Sequence, residues 1–295
     1  MTRQIITISP DLSEGVQAEA QALEAMSESH ERMRKAGSAE DYYLSSGSMA
    51  PFEYEELLKL IPRGAKILDV GVGFGHSSVF LASKGYKVFS VEPAISLCEL
   101  IRDTADRFDL DIQVVQGVGE DLSSLGMNDF DAVIFNASLH HCDDPVRAIA
   151  EARRCLKPDG AIYLVNEFKL KPWETQKGFY RKLAIDPVGM GHYGGNEHAY
   201  HNSGYVRMLR TQFSDVEMLP PRRTTAVEDL RDLVTRRVNG EWVFAKSAPV
   251  LARFLFFTLR SRLRSMPKLY SLLARVSLVP VHFRGTRPTS VDENR

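Results

Sequence analysis

Cysteine is scarce and scattered: Cys98, Cys142 and Cys155 are the only three in 295 residues, and none forms a CxxC pair. That excludes a disulfide framework, and reduced thiols are expected. Cys142, although it follows His141, reads as a small packing residue rather than a nucleophile. No apolar run approaches the roughly eighteen residues that cross a bilayer, and the N-terminal MTRQIITISPDLSEG lacks the apolar stretch of a secretory signal. A cytoplasmic location is the expectation. No internal repeat is visible. Net charge is only −1, yet it hides an asymmetry, because ten Lys or Arg between Lys246 and Arg295 face only Asp292 and Glu293. Otherwise a hydrophobic content of 44% and a charged content of 25% are ordinary for a globular chain.

What is present is concentrated in Ile67–Gly75, ILDVGVGFG. Ile67, Leu68 and Val70 suit a strand covered on both faces, and Gly71, Gly73 and Gly75 remove side chains where a backbone bends tightly and meets a ligand. His76–Ser83 continues with helix-compatible spacing, so a helix N-terminus with free N–H groups would point at that ligand. The dinucleotide fingerprint GxGxxG requires a third glycine where His76 stands; the spacing here is GxGxG. Asp69 lies in the strand two residues before the first glycine. Glu92 closes the next apolar strand, where an acid can accept hydrogen bonds from both hydroxyls of a ribose. Two acids and three glycines suit a nucleoside that carries an amino acid.

The stretch ILDVGVGFG, then VEP, then FDAVIFNASLHHCDDPVRAIAEARRCLKPDGAIYLV resembles the class I S-adenosylmethionine-dependent methyltransferases, and the resemblance covers roughly residues 50–220. It implies that Asp69, Gly71, Gly73 and Gly75 hold the methionine part of S-adenosyl-L-methionine and that Glu92 holds the ribose. Asn136 and Ala137 would lie under the methionine carboxylate. Many relatives carry a GDA triplet where Gly117-Val118-Gly119 stands, so the adenine contact moves to Glu120 or Asp121. No DPPY-like tetrad for flipped bases follows the fourth strand of the core, where Asn136-Ala137-Ser138-Leu139 stands, and the core has no basic stripe; a nucleic-acid acceptor is therefore not expected.

The core alternates strand and helix from Lys66 to Asn166, which predicts an α/β fold: a doubly wound, Rossmann-like, mainly parallel sheet with N-terminal helices and a helical C-terminal extension. The parts read as an N-terminal helical cap (1–62), the methyltransferase core (63–247) and a basic amphipathic extension (248–295). The cap carries helices over 14–36 and 49–61; the resemblance implies that such helices cover the cofactor, with Tyr42 or Tyr43 either lying over it or, as aromatics more often do, packing in the core. Trp242–Ala245 is the expected closing strand. Within the core, residues 167–202 are long for an α/β connection and carry five glycines and three histidines. They read as a substrate lid beyond the strand ends, where open sheets bind ligands.

Methyl transfer needs an acceptor held close to the methyl carbon, in line with the breaking bond and shielded from water. His141, just past the fourth core strand, is the expected catalytic residue, as a base or acceptor contact if it is not simply structural. Glu167, His192, His198 and His201 are the expected substrate contacts. A glycine-rich loop gives no assurance of converging ligands, so no metal is expected. The apolar and basic segments on either side of Pro267 read either as a membrane-surface contact, suited to a lipid-linked acceptor, or as a stripe packed on the domain or in a homodimer. The activity implied by the resemblance is O-methylation of a small molecule or glycan. The alternatives are an NAD(P)-binding oxidoreductase and a non-catalytic methyltransferase-like binding protein.

Overall fold

Alternate residues along the central strands face opposite sides of one sheet, and this divides the core into two apolar layers. Ile67, Ala132 and Ile134 face one layer, with Val79, Phe80, Leu97 and Ile101. Leu68, Val133 and Phe135 face the other, with Ala148, Ile149, Tyr205 and Leu209. A strand buried on both faces is mostly apolar rather than alternating, and in Ile67–Val70 only Asp69 interrupts the run.

The computed structural model describes residues 3–9, 11–44, 54, 57–185, 197–220, 235–238, 241–244, 266–279 and 281–286. In chain order its elements begin with β1 (Ile6–Thr7), α1 (Glu14–Glu24), α2 (Ser27–Arg34) and α3 (Ala39–Leu44). The core follows with β2 (Lys66–Val70), α4 (His76–Ser83), β3 (Lys87–Glu92), α5 (Ile95–Arg107), β4 (Ile112–Gln116) and β5 (Phe130–Asn136). Two 3₁₀ turns, Gly119–Leu125 and Leu139–His141, flank β5. Then come α6 (Pro145–Cys155), β6 (Leu156–Val165), α7 (Gln176–Ile185), α8 (Asn202–Leu209), β7 (Asp215–Leu219), β8 (Thr235–Val238), β9 (Glu241–Phe244), α9 (Pro267–Arg275) and β10 (His282–Thr286).

The main sheet has the order β1-β4-β3-β2-β5-β6-β10-β7. Its pairs from β1 to β6 are parallel, and β10 runs antiparallel to both neighbours. The order reverses at β2, so the C-terminal ends of β2, β3 and β5 open on a common crevice, the place where doubly wound sheets bind ligands. Helix α6 begins on a well-formed cap: Asp144 accepts from the N–H groups of Val146 (3.1 Å) and Arg147 (3.0 Å), and Pro145 occupies the first turn.

Several expectations shift. The helix expected over 14–36 is broken at Ala25 and Met26 into α1 and α2. Most of the one expected over 49–61 lies outside the described residues. Strand β6 starts at Leu156, which pairs with Phe130 ahead of an irregularity in the register. The closing strand is β10, not Trp242–Ala245: residues 241–244 pair with 235–238 in a separate two-stranded ribbon. Part of the expected C-terminal extension is thus inside the main sheet. Helix α9 buries Tyr270, Leu273 and Ala274. The polypeptide next to α9 is tied to the core through Asn202, whose Nδ2 donates to the carbonyls of Ala274 (2.9 Å) and Val279 (3.1 Å). The apolar stretch 250–264 lies outside the described residues. No helix among the described residues is long and apolar enough to cross a membrane.

Candidate functional site

Where β2 ends, the chain turns through Gly71 (φ 67°) and Gly73 (φ 52°) to Gly75, which precedes α4. Gly71 is required twice over. Its backbone is left-handed, and a Cβ there would lie 2.6 Å from Ser138 Cβ. Ser138 is itself fixed, because its hydroxyl donates to the Val70 carbonyl at 2.6 Å. The turn therefore packs against the segment that follows β5.

Glu92, at the end of β3, organises the turn. Its carboxylate accepts from the N–H of Gly73 (2.8 Å) and of Ala94 (3.1 Å), and burial pushes its carboxyl up to about 8 despite those two donors. Asp69 behaves differently from the expectation. It is fully buried beneath the turn, accepts from the hydroxyls of Ser77 and Ser78 (both 2.7 Å), and does not line the cavity. Burial raises its carboxyl to about 6. Its role here is to hold the first turn of α4.

A cavity of about 530 Å³ opens over this turn. Gly71, Gly73, Glu92, Glu120, Asn136 and His141 all border it, so six of the expected residues converge. Gly75 does not border it; a Cβ there would lie 2.6 Å from Ile101, so this glycine serves the packing of α4 on α5. Of the two acids expected near adenine, only Glu120 reaches the wall. Burial raises its carboxyl, which accepts from the Asp144 N–H at 3.1 Å. Asp121 instead accepts from the hydroxyls of Ser9 and Ser124 and borders a separate groove beside Asp11 and Arg147. At the end of β5, Asn136 accepts through Oδ1 from Asn166 (2.9 Å), and Ala137 adopts φ 53°. A non-glycine residue held there is strained, which fits a wall shaped for a ligand.

The histidine pair is placed by an acid expected to touch substrate. Glu167 accepts from the backbone N–H groups of Ser138, Leu139 and His140 (3.1–3.2 Å) and contacts His140 Nδ1 at 2.7 Å. It is thereby occupied with capping the 139–141 turn and does not line the cavity. His198 contacts the Tyr180 hydroxyl (2.7 Å), and His201 precedes α8; neither borders the cavity. His192 lies outside the described residues.

His141 faces Glu19 Oε1 (3.0 Å from Nδ1) and Glu197 Oε1 (3.7 Å from Nε2). Burial alone would lower its pKa, but the carboxylates of Glu19, Glu197 and Glu167 outweigh burial and lift it to about 9. Cys142 borders the cavity with its thiol raised well above the usual range by burial, which makes it inert as a nucleophile.

The roof comes from α1. Val16, Glu19, Ala20 and Leu23 lie on one face of that helix and border the cavity, whereas Tyr42 and Tyr43 do not. Tyr42 instead donates to the Phe74 carbonyl at 2.6 Å and supports the glycine turn from outside. Glu19 and Glu197 were absent from the expected set. For Glu19 a signal existed, since an acid at the centre of the apolar stripe Val16, Ala20, Leu23 has no reason to be there unless it faces something polar. Four carboxylates, Glu19, Glu92, Glu120 and Glu197, border the cavity, and no Lys or Arg does so among the described residues. Such a wall suits a ligand carrying positive charge and hydroxyl donors and disfavours one carrying phosphates.

Comparison with known proteins agrees with this geometry. Residues 68–164 match the family described as methyltransferase domain. The chain is 34% identical over 110 residues to a ubiquinone biosynthesis O-methyltransferase from Xanthomonas axonopodis pv. citri, a match covering 36% of this chain and 44% of that protein. It is 28% identical over 192 residues to the S-adenosyl-L-methionine-dependent Diels-Alderase iccD of Talaromyces variabilis, covering 59% of this chain and 65% of that one. The chain thus spans less than half the length of the O-methyltransferase relative it matches. Among solved structures, the YcgJ protein of Bacillus subtilis superposes with a TM-score of 0.51 at 15% identity, over 80% of this chain and 97% of that chain. The Haemonchus contortus phosphoethanolamine N-methyltransferase 2, bound to phosphomonomethylethanolamine and S-adenosylhomocysteine, superposes with a TM-score of 0.50 at 17% identity. That match covers 79% of this chain and 52% of that chain. At such identities the two structures speak to the fold alone.

Proposed function

We propose that this chain, which carries a class I S-adenosylmethionine-dependent methyltransferase domain, methylates a hydroxyl of a small molecule or glycan, lipid-linked acceptors included. The observation that carries the reading is a single one: the Glu92-organised glycine turn and the acidic, histidine-bearing wall share one cavity. The O-methyltransferase relatives supply the argument for a hydroxyl acceptor. Bound there, S-adenosylmethionine supplies a methyl group made electrophilic by the adjoining sulfonium.

The residues present fit that cofactor. Glu92 accepts from the ribose hydroxyls, and the bare backbone at Gly71 and Gly73 admits the methionine part. Asn136 and Ala137 support its carboxylate end, and Glu120 stands at the adenine side. Val16, Ala20 and Leu23 of α1 exclude water from above. His141 borders the same cavity at its acceptor end and is the catalytic candidate. A dinucleotide would place its pyrophosphate among four carboxylates, so the oxidoreductase alternative loses ground.

A purified sample supplied with methyl-labelled cofactor and a panel of phenolic and sugar acceptors is expected to form S-adenosylhomocysteine and labelled acceptor in equal amounts. Cofactor binding without label transfer to any acceptor would overturn catalysis in favour of the binding protein. Thermal protection by NADH and none by S-adenosylhomocysteine would instead favour the oxidoreductase. The Diels-Alderase relative spans more of this chain than the O-methyltransferase does. Products of unchanged mass should therefore be sought in the same assays.

Glu92 also sets a pH dependence. Its carboxyl is raised to about 8 in the empty cavity, and a bound ribose together with a cationic sulfonium favours the ionised form. Binding therefore releases a proton at neutral pH. Affinity is expected to climb as pH rises toward about 8, by at most about tenfold per unit, and to level off above it. The stability of the empty protein moves the other way. The folded state holds the proton longer than the unfolded one, so Glu92 lowers stability as pH rises between the ordinary carboxylate range and 8. Calorimetry of S-adenosylmethionine binding in buffers of different ionisation heat reads the proton release directly, and Glu92→Gln should abolish it.

A further inference from the structure

We propose that His140, His141 and Glu197 form a site for one divalent transition-metal cation at the acceptor end of the cavity. One potential ligand atom from each residue lies within 4.8 Å of the other two. The Glu197 carboxylate straddles the pair: Oε2 is 3.7 Å from His140 Nε2, and Oε1 is 3.7 Å from His141 Nε2. Both separations exceed an N–H···O hydrogen bond, which spans about 2.7–3.2 Å. They lie a few tenths beyond the roughly 3.0–3.4 Å that adjacent ligands keep around a cation bonded at about 2.1 Å, a gap that small side-chain rotations close.

The other ring nitrogens tell the same story. His140 Nδ1 contacts Glu167 Oε2 at 2.7 Å, and His141 Nδ1 contacts Glu19 Oε1 at 3.0 Å. A carboxylate only accepts, so a neutral ring that donates to it from Nδ1 presents its lone pair at Nε2. The ring nitrogens and the Glu197 carboxylate thus make a buried cluster able to hold a cation. Histidine ligands backed by carboxylates on their remote nitrogens are the common second layer of protein metal sites.

The frame is rigid. Glu167 fixes the 139–141 turn through three backbone N–H groups, and the His198 N–H donates to the His140 carbonyl at 2.9 Å, which ties the Glu197 segment to the histidines. The side chains of His140 and Glu197 are 7% and 5% exposed. Two imidazoles and a carboxylate suit Fe²⁺, Co²⁺, Ni²⁺ or Zn²⁺ better than Mg²⁺ or Ca²⁺, and three protein ligands leave coordination positions open toward the cavity. On the methyl-transfer reading, on which this part rests, an acceptor hydroxyl fills one of them and releases its proton to solvent on coordination. The cation then selects acceptors that present two neighbouring oxygens, such as vicinal hydroxyls.

The test uses untagged, metal-stripped full chain titrated with Co²⁺ alone, read by visible absorption and by metal content after gel filtration. One equivalent per chain is expected, with Glu197→Gln and His140→Ala each weakening uptake by about a hundredfold and Glu19→Gln by about tenfold. Folding of each variant is checked by a cooperative melt that S-adenosylhomocysteine shifts upward. Wild-type chain that takes up no Co²⁺, or variants that take up as much as wild type, would overturn the site. Cobalt uptake without S-adenosylhomocysteine binding would leave the metal site standing and remove the methyl-transfer reading; the reverse pattern would do the opposite.

Discussion

Replacing Glu92 by alanine is expected to weaken S-adenosylhomocysteine binding ten- to a hundredfold. Two effects combine. On the proposed reading the carboxylate accepts from ribose hydroxyls, and a charge-assisted hydrogen bond contributes about 1.5–3 kcal/mol where a neutral one contributes about 1. The same carboxylate holds the N–H of Gly73 at 2.8 Å and that of Ala94 at 3.1 Å, so its loss leaves two donors unsatisfied and loosens the turn itself. A loss of about 1.4–2.7 kcal/mol corresponds to that range of affinity. Glu92→Gln separates the contributions, because it keeps the shape and an acceptor but not the charge, and it should fall between the two. Unchanged affinity in the alanine variant, measured by calorimetry, would remove Glu92 from the site.

Gly71→Ala is expected to abolish measurable cofactor binding and to lower stability by about 2–4 kcal/mol. A left-handed conformation costs an L-residue about 1–2 kcal/mol. The new Cβ would also stand 2.6 Å from Ser138 Cβ, closer than any van der Waals contact allows. Ser138 cannot retreat freely, because its hydroxyl donates to Val70 and its N–H to Glu167. Displacing it carries along the turn that bears His140 and His141. Gly73→Ala makes the internal comparison. Its φ is also positive, but nothing lies within 4 Å of the added carbon, so only the conformational cost remains. If Gly71→Ala melts like the wild type and binds S-adenosylhomocysteine normally, the turn is not the rigid element described here.

Much of the cofactor half of the site is readable from the chain because it is local. Gly71, Gly73 and Glu92 fall within one strand-turn-helix-strand unit whose geometry is set by short-range rules, and the strands around them are mostly apolar and buried. The acceptor half is not local. Glu19 arrives from α1 and Glu197 from a segment far along the chain, and only tertiary packing brings them to His141. Glu167 shows the complementary error. A carboxylate at a strand end looks free to meet a ligand, yet the unsatisfied N–H groups of a nearby 3₁₀ turn claim it first. Asp69 is taken up in the same way by Ser77 and Ser78. The closing strand was misplaced because residues 241–244 and 282–286 are both short β-compatible stretches, and only register against β6 and β7 distinguishes them.

That register matters for how the molecule assembles. Because β10 is wedged between β6 and β7, a nascent polypeptide on the ribosome cannot join β7 to the rest of its sheet until residue 286 has emerged. Until then β6 and β7 each offer an unsatisfied rim to any passing strand. Shortened versions lacking that segment should accumulate as aggregates rather than as smaller folded proteins.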